Sequence, residues 1–202
     1  MDATMNHTRL KQSRGCRAAQ SKQAQAGFSL LEVLFAGAIL TIGLLALVGL
    51  FATALAATQS SQADTIARER AMQTLESIYT ARQTSQLTFA DINNTTTVPP
   101  GQFLAGMRPL SDPGPDGLDD TIDDITPPAP YKLPGPDGIL GTADDQTVSL
   151  ASFQRQVLIT NVPNPDGTPN PNLKQIVVTV QYPAANGTVR PYTVQALVSS
   201  FR

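Results

Sequence analysis

Tryptophan is absent from the 202-residue chain, and cysteine and histidine occur once each, as Cys16 and His7. Both lie before residue 28, so the rest of the chain can build no disulfide. Nor can it supply a Cys or His nucleophile or a His-ligated metal site. Cys16 follows the polar run Lys11-Gln12-Ser13-Arg14-Gly15. With no apolar stretch before it, Cys16 does not read as a lipoprotein site. No basic patch marks a nucleic-acid partner. Charge is missing altogether from Val33 to Ala57, where Thr41 and Thr53 are the only polar side chains in 25 residues. An apolar helix of about 20 residues spans a bilayer. Lipid offers backbone groups no partners, so such a run must be helical.

What the chain does have is an asymmetric charge and a specific junction. Arg9, Lys11, Arg14, Arg17 and Lys22 stand against Asp2 before the apolar run, a charge of +4, so that with an overall charge of −2 the remainder carries −6. A basic segment before a span places the N-terminus in the cytoplasm and the C-terminal part outside. Residues 1–27 read as a polar leader. The leader ends in Gly27-Phe28-Ser29-Leu30-Leu31-Glu32, and the apolar run follows at once. Glu32 sits where a carboxylate costs roughly 2.5–3.5 kcal/mol or more, so it needs a partner or a use. An ordinary signal anchor with a glutamate at headgroup level is the plain alternative.

The junction resembles the class III signal of type IV prepilins and type II secretion pseudopilins. The resemblance implies cleavage between Gly27 and Phe28 by a prepilin peptidase and N-methylation of Phe28. It also implies pairing of Glu32 with the terminal amine of a neighbouring subunit. An α-amine with a pKa near ~8 is cationic at neutral pH, and in low dielectric the two charges relieve each other's desolvation. The implied partners are the peptidase, other pilin or pseudopilin subunits, the inner-membrane assembly platform and the lipid bilayer. The implied location is the bacterial inner membrane, single-pass with a periplasmic C-terminal domain, and then a filament.

Residues 28–58 are the expected transmembrane and assembly helix. Gly37, Gly43 and Gly49 interrupt it, for close packing in the membrane or for a segment that loosens on leaving it. Residues 59–83 extend the same helix as an amphipathic stretch, with Ala63, Ile66, Ala67, Ala71, Leu75 and Ile78 on one stripe and Met72 and Tyr79 flanking it.

Residues 84–152 hold ten of the sixteen prolines and predict a long irregular connection, functional or floppy. A frame G-P-D-G-x-x-x-T-x-D-D occurs twice, from Gly114 to Asp124 and from Gly135 to Asp145. Pro-Asp-Gly is a turn signal. Nine aspartates lie between Asp112 and Asp145. Carboxylates on tight turns suit calcium, which takes 6–8 oxygens in flexible geometry. The candidates are Asp116, Asp119, Asp120, Asp123, Asp124, Asp137, Asp144 and Asp145; a solvated acidic loop is the alternative.

Residues 153–202 read as an antiparallel sheet, with strands over 153–162, 173–182 and 188–201. Ile176, Val178 and Val180 alternate on the second, and Val189, Tyr192, Val194, Ala196 and Val198 mark core positions on the third. Asn186-Gly187 supplies a hairpin turn. This strand order, with Arg155 and the run from Leu173 to Val180, resembles the pilus-modification class of minor pilins and small type II pseudopilins. The expected class is therefore α+β: a long N-terminal membrane-spanning helix packed on a C-terminal antiparallel sheet. The function implied is a minor pilin or pseudopilin subunit of a type IV pilus or type II secretion pseudopilus. The rival is a single-pass tethered adhesion or binding module with a calcium-binding loop that never polymerises. Aspartate pairs could serve acid–base chemistry, but no catalytic frame accompanies them, and no enzyme is expected.

Overall fold

The computed structural model describes residues 27–201; the leader expected over 1–27 lies outside that range apart from Gly27. The chain divides into two compact units, one ending at Leu47 and the other beginning at Val48.

Helix α1 (Leu30–Gln83) starts at Ser29. The Ser29 hydroxyl accepts from the Leu31 amide at 3.3 Å, and the Ser29 carbonyl accepts from the Glu32 and Val33 amides. Ser29 thus acts as the cap that satisfies orphan donors of the first turn. The helix runs unbroken through Gly37, Gly43 and Gly49. It is long and apolar enough to cross a membrane, and none of its most apolar window is buried in the protein.

The second unit is built on the later half of α1. Ile66, Ala67, Ala71, Ile78 and Ala81 are buried, one face of a 3.6-residue period. That face shares a core with Val157, Ile159, Ile176, Val178, Val180 and Val198. These come from a four-stranded antiparallel sheet in the order β1-β4-β5-β6. Its strands are β1 (Arg108–Pro109), β4 (Gln154–Pro163), β5 (Pro169–Pro183) and β6 (Val189–Ser199); β2 (Tyr131–Leu133) and β3 (Gln146–Val148) pair separately as a small hairpin. The turns at Gly167 and Gly187 hold φ of 84° and 80°, where glycine has no Cβ penalty.

Three differences from the sequence reading have physical causes. Val189 is exposed rather than in the core; the inward set of β6 begins at Tyr192, and Pro191 points away with its partner Gln181. The sheet gains a fourth strand, β1, from within the Pro-rich connection, because Arg108 and Pro109 pair with Arg155 and Gln154. And the connection is not loose: Leu87, Ile92, Phe103, Leu110, Leu118 and Leu150 are core residues. Polar ties hold it to the sheet. Lys174 Nζ donates to the Phe89 and Ile92 carbonyls at 2.8 and 2.9 Å. The Asn94 amide bridges the Val157 carbonyl and the Ile159 amide.

One edge of the sheet is β6, and α1 blunts it. Tyr79 donates to the Leu197 carbonyl at 2.9 Å and Arg82 to the Ser199 carbonyl, while Pro191 has no amide to offer. Unpaired edges invite aggregation, and covering them prevents it.

Candidate functional site

Two sets of sequence candidates can be located. The first is the junction before the membrane helix. Gly27, Phe28 and Ser29 are non-helical and exposed, and Phe28 is 82% exposed. Among the described residues, a Cβ built on Gly27 would meet nothing. Packing against them therefore does not call for glycine there. Glu32 occupies the first turn of α1 and is exposed. Ser29-x-x-Glu32 has the spacing of a capping box, in which the N3 acid reaches back to the cap amide, although the Ser29 hydroxyl here accepts from the Leu31 amide. An acid in the first turn is also favoured by the helix dipole.

The second set is the pair of GPDG turns, and the structure gives both one hydrogen-bond scheme. In the first, the Gly117 amide donates to the Gly114 carbonyl. The Leu118 amide donates to Asp116 Oδ1 at 2.8 Å, and Thr121 Oγ1 donates to Asp123 Oδ1 at 2.8 Å. The Asp120 amide donates to Asp124 Oδ2 at 2.8 Å. In the second, Gly138 donates to Gly135. Ile139 donates to Asp137 Oδ1 at 2.8 Å, Thr142 Oγ1 to Asp144 Oδ1 at 2.6 Å, and Gly141 to Asp145 Oδ2 at 2.7 Å. The threonine hydroxyl in each turn holds the following aspartate, Asp123 or Asp144, below its ordinary pKa. Gly114 and Gly135 are glycine for a shared reason: a Cβ on either would run into Asp123 or Asp144.

The turns differ in what they face. The first folds onto Arg155, which is 0% exposed. Arg155 Nη1 lies 3.1 Å from Asp119 Oδ1, Nε lies 3.2 Å from Asp120 Oδ1, and Nη2 lies 3.8 Å from Asp124 Oδ2. Thr74 on α1 donates to Asp119 Oδ2 at 2.7 Å. Ser111 accepts from Arg155 at 3.1 Å and donates to Asp124. Three carboxylates thus surround one guanidinium. Asp120 Oδ2 has no hydrogen-bond partner. Burial pushes the Asp120 pKa up; Arg155 opposes the shift, while Asp124 and Asp119 add to it. Burial also raises Asp116, with Asp123 beside it adding to the effect. In the second turn Leu140 and Gly141 stand where the first has Asp119 and Asp120, and no buried arginine faces it. Asp145 Oδ1 has no hydrogen-bond partner.

The eight calcium candidates therefore do not form one site. Among the described residues, no group of three or more His, Cys, Asp or Glu side chains is arranged to hold a metal ion. Sequence reasoning missed Thr74, Ser111 and the inward direction of Arg155. The last had a signal, since Arg155 shares its strand phase with Val157 and Ile159.

No family model, curated protein or solved structure matches this chain.

Proposed function

We propose that the chain is a prepilin-type filament subunit of the minor pilin or pseudopilin kind, anchored in the bacterial inner membrane by α1 and processed before assembly. The supporting observation is the junction: an exposed, non-helical Gly27-Phe28 bond directly before a helix long and apolar enough to span a bilayer, with Glu32 in its first turn. A glycine that no described neighbour requires is accounted for by a peptidase that reads it. Cleavage after Gly27 would leave Phe28 with a free amine, and N-methylation would keep it basic. Glu32 would then meet the corresponding amine of a neighbouring subunit, each charge offsetting the other's burial in an apolar surround.

The capping-box spacing of Ser29 and Glu32 offers a competing role, and one substitution separates the two. Glutamine serves at the same capping-box position but carries no charge. Glu32→Gln is expected to leave membrane insertion and leader removal intact. It should lower filament incorporation as far as Glu32→Ala does, read by immunoblotting sheared filaments. Wild-type incorporation by Glu32→Gln would overturn the charge pairing. Retention of the leader in cells with an active peptidase would favour the tethered binding module instead.

A further inference from the structure

The two hairpin tips of the four-stranded sheet lie at opposite ends of β5 and differ in charge. The β4–β5 tip, closed between Asn164 and Thr168, carries Asp166. The β5–β6 tip, closed between Ala184 and Thr188, is followed by Val189 and Arg190, and no acid occurs after Asp166 in the sequence. At about 3.3 Å per residue, the 15 residues of β5 set the tips roughly 45 Å apart. The β5–β6 tip meets α1 close to the end of its apolar run. Ser60 Oγ accepts from the Ala185 amide at 3.4 Å. Ala57, where the run ends, precedes Ser60 by three residues, about 4.5 Å of helix rise. Leu50, Phe51 and Leu55 before it are exposed and belong to the same compact unit as the sheet. The polar layer on each side of a bilayer's hydrocarbon is roughly 5–7 Å deep. With Ala57 at the edge of the hydrocarbon, the tip is level with the headgroups.

The side chains at this tip suit that level. Pro183 and Val189 pair across the hairpin, and both are exposed. Val189, the apolar residue left out of the inward set of β6, is 64% exposed. Arg190 pairs with Tyr182 and shares its strand phase with Tyr192. Across from them on α1, Arg68 joins Tyr182 and Tyr192 in lining a hollow of about 270 Å³. Asp64 lines the same hollow and is hydrogen-bonded to Tyr182. Arg68 and Arg190 are both exposed. Among the described residues, no side-chain hydrogen bond or ion pair engages either guanidinium. Arginine heads and tyrosine rings gather where hydrocarbon gives way to phosphate.

We propose that the β5–β6 tip binds the phospholipid surface. Pro183 and Val189 enter the headgroup layer of the leaflet by which α1 leaves the membrane, and Arg68 and Arg190 hold lipid phosphates. The contact rests on the membrane anchoring proposed above and adds a second point at which the chain touches lipid. The chain has no tryptophan, so each single tryptophan is a site-specific probe. Full-length Val189→Trp, Asp166→Trp and Phe51→Trp chains are placed in nanodiscs of mixed zwitterionic and anionic phospholipid, with and without bromine on the upper acyl carbons. Phe51→Trp reports the span and is expected to be quenched by bromine. Val189→Trp is expected to be quenched as well and to emit to the blue of Asp166→Trp, which stays unquenched at the far tip. Adding Arg190→Gln to Val189→Trp should lower the docked population about fivefold. If Val189→Trp and Asp166→Trp emit alike and neither is quenched, the tip contact fails, and a quenched Phe51→Trp leaves the anchoring standing. An unquenched Phe51→Trp would overturn both. Quenching of Val189→Trp that ignores Arg190→Gln would overturn the phosphate contact.

Discussion

Arg155 is the residue on which the second unit's polar interior turns. It brings one positive charge against three aspartates, at no exposure, with hydroxyls of Thr74 and Ser111 completing its shell. Removing one partner of a buried ion pair strands the others and costs roughly 3–5 kcal/mol, so Arg155→Leu should destabilise the chain by about that much. Asp120→Asn should behave differently. Its pKa is raised by burial, so protonation favours the folded state. The favourable contribution is present below the ordinary carboxylate value near ~3.9 and is lost as pH rises through the folded value. At pH 7 asparagine removes a surplus buried charge while keeping an oxygen for Arg155, and it tolerates the φ of 61° at this position. Denaturation should therefore show Asp120→Asn as stable as wild type or more so at pH 7, the difference closing as pH falls below the ordinary carboxylate range. A loss of several kcal/mol at pH 7 would contradict this account. Asp119, Asp120 and Asp124 were legible as a cluster suited to a cation, but not that the cation is Arg155, nor that Thr74 and Ser111 complete its shell. Hydroxyls and charges at core positions look like surface residues in sequence, and only alternation with Val157 and Ile159 pointed Arg155 inward.

At the scale of elements, regular periodicity was readable and irregular packing was not. The stripe from Ile66 to Ile78 and the alternation through Ile176, Val178 and Val180 set the helix and sheet faces, because burial of one face leaves a period in the sequence. The connection between them has no period. Its Leu87, Phe103 and Leu118 reach the core as single side chains from turns, so their burial depends on contacts remote in sequence. The GPDG repeat was visible, but its two environments were not, since they differ through Arg155 on another element. That difference redistributes the calcium expectation. In the first turn Arg155 already supplies the cation, so the calcium proposal falls on Asp137, Asp144 and Asp145 of the second, which among the described residues are not grouped to hold an ion and would have to draw together to do so. Millimolar calcium is then expected to raise the melting temperature of the purified full chain by linkage. The rise should vanish in Asp145→Asn and survive in Asp120→Asn. No rise in the wild type would reduce both repeats to hydrogen-bonded turns and leave the filament assignment untouched.

For the whole molecule, the two units carry separate tasks. The one ending at Leu47 offers an exposed junction and an exposed apolar helix surface, long and apolar enough for a bilayer to cover. The one beginning at Val48 completes its own core and blunts its sheet edge through Tyr79 and Arg82. An already closed domain on an unsatisfied apolar helix suits a subunit that changes surroundings, from lipid to neighbouring helices, without refolding. In the proposed function, processing at Gly27 is the step on which this depends, because the freed amine of a neighbour's Phe28 would give Glu32 its charged partner. Mass spectrometry of the protein isolated from filament-forming cells tests it most directly. The account predicts an N-terminal peptide that begins with N-methylated Phe28, and a protein still carrying the basic residues Arg9 to Lys22 would contradict it.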